Sequence, residues 1–84
     1  MNKWISIFSK EKKLHSLFNL DGINYIEYIT TEESFSIIFI AIDETQIWAN
    51  FLSEFGQKEI YEQIIYFIED DSRHHQAIYE TWKE

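Results

Sequence analysis

Cysteine and proline are absent from this 84-residue sequence, and glycine occurs only at positions 22 and 56. Without cysteine there is no disulfide framework, no thiol nucleophile and no thiolate metal site, so stability must come from packing alone. Two isolated glycines exclude a glycine-rich phosphate loop. They also leave no flexible linker, low-complexity tract or repeat, and one compact domain over residues 1–84 follows. A chain of this length buries only about 60 to 65% of its unfolded surface. No run approaches the roughly 18 apolar residues of a membrane span. The opening apolar cluster, Trp4 to Phe8, is too short for a signal peptide. A cytoplasmic location is the expectation, and the lack of cysteine is consistent with a reducing compartment.

What the sequence does hold is rings and carboxylates. Three Trp, seven Phe and five Tyr supply a dense apolar core, since each large ring removes roughly 150 to 250 Å² from water when buried. Fifteen acidic residues against seven basic ones give a net charge of −8. Four lysines against one glutamate make the first thirteen residues +3, while three cations against fourteen carboxylates make the remainder −11. Such a field repels nucleic-acid phosphate and anionic lipid, and it attracts basic proteins and cations. Direct binding to nucleic acid or to membrane is therefore disfavoured.

Spacing predicts the elements. Trp4, Ile7, Phe8, Leu14, Leu17 and Phe18 recur at three, four and seven, as in an amphipathic N-terminal helix over residues 2–18, although "WISIF" also reads as a strand. "NLDG" would end that helix. Residues 23–29 and 35–42 are β-branched and aromatic, with "TTEES" between them, and predict an antiparallel hairpin. The second strand is apolar on both faces, which calls for cover on both sides or for a partner. Asp43 offers an N-cap with Gln46 at the capping-box position. Ile47, Trp48, Phe51, Leu52 and Phe55 would follow as a helical stripe closed by Gly56. Gln57 to Asp70 predicts another helix through Ile60, Ile64, Phe67 and Ile68, and Ser72 to Lys83 a last one through His74, Ile78 and Trp82. The expected fold is α+β: an N-terminal helix, a hairpin that a third strand would close better, then two or three helices packed on the sheet.

"IEDDSRHH", residues 68–75, gathers carboxylates and imidazoles, the side chains that bind metals or move protons. A chain break near Asp71 makes better sense of it. There Glu69 and Asp70 end one helix, and Asp71 or Ser72 caps the next, a contribution of roughly 1 kcal/mol. Adjacent His74 and His75 would point about 100° apart on a helix, whereas helical metal ligands are spaced three or four apart. Ser72 beside His75 is a local coincidence, because a triad is defined by roles in space. No metal, no cofactor and no enzymatic activity is expected.

The profile that remains is that of a small acidic binding protein. It resembles, in physical character, the immunity proteins that cover basic nuclease toxins and the anti-CRISPR proteins that occupy basic nucleic-acid channels; no motif carries functional residues over from either. The resemblance implies capture of a basic protein partner, a toxin or another nucleic-acid-binding protein. Carboxylates near Asp43–Glu44, Glu54–Glu62 and Glu69–Asp71 would oppose its lysines and arginines, with Tyr61, Tyr66 and Tyr79 as contact area. The preferred contact face is Glu59, Glu62, Tyr66, Glu69, Asp70 and Asp71. Two alternatives stand beside it: a homodimer or larger assembly pairing through the hairpin edge, and a membrane-surface role for the basic aromatic start, disfavoured by the acidic remainder.

Overall fold

Alternation, not helical spacing, governs the start of the chain. In the computed structural model, which describes residues 2–9 and 13–80, Ile5 and Ile7 are fully buried on one face of strand β1 (Trp4–Phe8). An antiparallel β2 (Leu14–Asn19) lies beside it, with Ile5 opposite Phe18 and Ser6 opposite Leu17. The expected N-terminal helix is thus overturned. Its intervals of three and four arise from two strands, each with its own period of two, joined across the charged run that begins at Lys10.

A short 3₁₀ turn (Leu20–Gly22) leads into β3 (Ile23–Thr30), which forms the expected hairpin with β4 (Phe35–Ala41). The next expectation fails. Residues 42–44 make a tight turn and β5 (Gln46–Phe51) follows as a third antiparallel strand, so no helix runs from Asp43 to Gly56. In that turn the Glu44 amide donates to the Ala41 carbonyl at 2.9 Å, and Glu44 itself has φ 73°. This is the three-residue hairpin loop that usually places glycine or asparagine at its left-handed position.

The single described helix, α1 (Glu54–Glu69), corresponds to the one expected over 57–70. Ser53 caps it, its hydroxyl oxygen accepting from the Gly56 amide at 3.0 Å, so Gly56 belongs to the first turn of this helix rather than the end of another. After α1 the chain enters strand β6 (His75–Tyr79), not a last helix. Ile78 reaches the core there, His74 is exposed, and Trp82 lies outside the described residues. Over the described residues the fold is therefore mostly β: six strands in two three-stranded sheets, ordered β2-β1-β6 and β3-β4-β5, with one α-helix set between the fifth and sixth strands. The strand suspected at residues 4–8 exists, but it is the middle of the first sheet and does not extend the hairpin.

β1 and β6 pair in parallel, from Trp4 opposite His75 to Phe8 opposite Tyr79, so the intervening chain forms the crossover. One core unites the layers: Ile5, Ile7, Ile37, Phe39, Phe51, Ile64, Phe67 and Ile78. The rings of Phe18 and Phe39 bridge the two sheets with centroids 4.9 Å apart. On the other face of β4, Ile38 and Ile40 are also buried, 2% and 5% exposed. Their neighbours across the strands are Glu27, Tyr25, Trp48 and Gln46, whose long side chains supply the cover.

Two polar side chains lock this arrangement. Lys3 is only 1% exposed, and its ammonium donates to the carbonyls of Phe67 (2.9 Å), Asp70 (2.5 Å) and Arg73 (2.7 Å). A cation thus meets the negative end of α1 and two carbonyls beyond it. At the other end of the helix buried Gln57 donates to the carbonyls of Ile29 (2.8 Å) and Ser36 (2.9 Å), tying α1 to both strands of the hairpin.

Candidate functional site

The helix has one buried face and one displayed face. Gln57, Ile64 and Phe67 point inward, whereas Glu59, Glu62, Tyr66 and Glu69 are exposed. At 100° per residue these four fall within an arc of about 80°, one continuous stripe. Four of the six residues expected to form a contact face are therefore neighbours on a rigid element, and Tyr66 is 69% exposed.

Asp70 and Asp71 leave that stripe, because the helix ends at Glu69. The Asp70 carboxylate turns back on the chain, accepting from the Ser72 amide at 3.0 Å and from its hydroxyl at 2.6 Å. Those bonds, the hydroxyl first, hold its carboxyl below the ordinary aspartate value. Asp70 thus shapes the exit from the helix, and Asp71 is exposed in the following turn. Asp43 and Glu44 belong to the β4–β5 turn, where the Thr45 side chain and amide likewise lower the Asp43 carboxyl. Tyr79 lies on β6, stacked on Phe8 with ring centroids 5.2 Å apart, and does not join the helix face.

Glu62 and Tyr66 do more than lie exposed. Together with Tyr28, Lys58, Tyr61 and Ile65 they line an open cavity of about 600 Å³ between α1 and β3. The rings of Tyr28 and Tyr61 meet edge to face, centroids 5.0 Å apart, and form its floor. A second cavity, about 450 Å³, continues past Tyr61 and Ile65 along Ile23, Asn24, Tyr25 and Ile26. The shared residues make the two a single trough beside the free edge of β3. Lys3 reaches its wall, but with three carbonyls already satisfied its ammonium has no donor left to offer.

Sequence reasoning missed Tyr25, Tyr28, Lys58 and Ile65. The tyrosines were visible on the first hairpin strand, yet only the sheet order, with β3 outermost, brings them to an opening. The imidazoles do not gather. His75 Nε2 lies 2.6 Å from the Ser6 hydroxyl, and His15 Nδ1 lies 3.3 Å from Oε1 of the buried Glu80. Ser72 gives its hydroxyl to Asp70, not to His75. Among the described residues no group of three or more histidines and carboxylates is placed to hold a metal ion, and no helix is long and apolar enough to cross a membrane. Comparison with protein-family models, with curated proteins and with solved structures gives no match.

Proposed function

We propose that this chain is a non-enzymatic binding protein that captures a basic protein on the displayed face of α1. The most concrete form is an immunity or inhibitor role in the cytoplasm, masking the cationic surface of a nuclease-type toxin or of another nucleic-acid-binding protein. One observation carries the reading: a trough with tyrosines on its floor and Glu62 on its lip, continued by Glu59 and Glu69, offers apolar anchorage and anionic guidance at one place. Aromatic anchors in a pocket supply most of the affinity of protein interfaces, and a charged rim supplies encounter rate and discrimination.

Co-purification at low salt would name the partner. With it in hand, a triple variant, Glu59→Gln with Glu62→Gln and Glu69→Gln, is expected to slow association at least about tenfold. A control triple in the loops, Glu32→Gln with Glu33→Gln and Glu44→Gln, removes the same charge and is expected to slow it less than about threefold. Equal effects of the two triples would remove α1 as the contact face.

The edge position of β3 favours one other reading, an assembly of identical chains through that edge. Sedimentation at high salt separates the two: a salt-resistant dimer supports assembly, and a monomer supports capture.

A further inference from the structure

β3 is the longest strand of the molecule, eight residues, and it stands at the edge of its sheet. Proteins usually blunt such an edge with lysine, proline or a short length. "INYIEYIT" has neither lysine nor proline, and its only irregularity is a bulge between Ile23 and Tyr25. The opposite edge of the same sheet is treated differently: on β5 the Asn50 amide donates to the buried Glu80 carboxylate at 2.7 Å. Among the described residues β3 is thus the open edge of this sheet, and the trough of the candidate site runs beside it.

We propose that β3 receives an extended segment of the basic partner as an added fourth strand, a deepening that rests on the capture reading above. The backbone of the segment would pair with the outward amides and carbonyls of β3, as in other peptide recognition by strand addition. Side chains of an added strand alternate between faces. Those on the core side meet the cavity of Tyr28, Tyr61, Ile65 and Tyr66 and should be apolar. Those on the other side stand beside Tyr25, Glu27 and Ile29, which share the face of Ile38 and Ile40, and there lysine or arginine finds Glu27.

Charge selects this occupant over a second copy of the chain. Two copies paired through β3 would each bring Glu27 to one face of the seam and Glu62 to the other, on molecules that each carry −8, and like charges facing one another across strands are destabilising. A segment of alternating apolar and basic residues meets the same carboxylates favourably.

The probe is a set of octapeptides alternating lysine with valine, leucine, phenylalanine or tyrosine, each matched by a peptide of equal composition with its lysines in one block. Binding is followed at low salt by titration, and amide hydrogen exchange of the full chain is recorded at saturation. At least one alternating peptide is expected to bind about tenfold more tightly than its block partner, and every second amide of residues 23–30 to exchange about tenfold more slowly. Binding with unchanged β3 exchange would overturn strand addition while leaving capture standing. Binding indifferent to the Glu59, Glu62 and Glu69 triple would sink the capture reading as well. If no alternating peptide binds better than its block partner, or if the free chain is a dimer with those amides already protected, the proposal fails.

Discussion

Lys3 shows how one side chain can serve as a structural pin. Its three N–H groups meet three carbonyls, and its ammonium lies 4.6 Å from the centroid of the Phe67 ring. Lys3→Met keeps much of the stem but takes the charged donor from all three carbonyls, of which Phe67 and Asp70 keep only a backbone amide at 3.3 and 3.2 Å, and a loss of about 2 to 4 kcal/mol is expected, read by denaturant unfolding. Glu44 is the opposite case, a residue poorly suited to its place. A side chain at φ 73° is strained where glycine is at ease. Glu44→Gly should therefore raise stability by about 0.5 to 1 kcal/mol in the same measurement. Asp70 and Asp43 contribute to the response to acid. Each carboxyl is lowered from 3.8, first by the side-chain and then by the backbone hydrogen bond from the residue two positions on, Ser72 and Thr45 respectively. The folded state thus holds these protons more weakly than the unfolded one. Their contribution is complete above that value and disappears as pH falls through the lower, folded value. Ser72→Ala should shift the Asp70 midpoint back up towards 3.8, visible in a carboxyl-carbon NMR titration.

At the scale of elements, α1 is pinned at both ends as well as by Ile64 and Phe67 in the core. Ser53 caps the start, Gln57 staples the first turn to Ile29 and Ser36, and Lys3 closes the finish. Gln57→Leu fills similar space but takes a donor from two carbonyls, and about 2 kcal/mol of destabilisation is expected. If the trough depends on this staple, the Tyr61 and Tyr66 ring resonances should broaden or shift in that variant while those of Tyr79 hold still. The same ends explain what was legible in the sequence. α1 was visible because Ile60, Ile64 and Phe67 keep helical spacing over about two turns, and the hairpin of β3 and β4 because β-branched residues crowd around a polar turn. β5 was hidden by its turn. "IDE", residues 42–44, holds no glycine, so Asp43 looked like a helix cap, and Ile47, Trp48 and Phe51 fit intervals of three and four by chance. β6 was hidden for a different reason: a five-residue strand gains its stability from β1, and parallel pairing across most of the chain leaves no local signal. The acidic stripe on α1 could be read from spacing alone. The trough could not, because Tyr28 and Tyr66 meet only through sheet order.

For the molecule as a whole, charge and topology have separate consequences. The field of a chain at −8 acts on encounter. Raising salt from about 0.05 to about 0.5 M should slow association with a basic partner at least about tenfold while changing dissociation little, as stopped-flow or surface-based kinetics would show. A strong rise in the dissociation rate instead would mean that buried ion pairs, not steering, hold the complex. Topology acts on folding. Trp4 pairs with His75, and Lys3 closes on Phe67, Asp70 and Arg73. β1 is made well before the carbonyls and the strand that complete its pairing. Until they arrive, one edge of β1 stays open to other nascent chains. The vulnerable interval for this fold is thus the time between the making of β1 and of β6, when a helper that shields β1 would matter most.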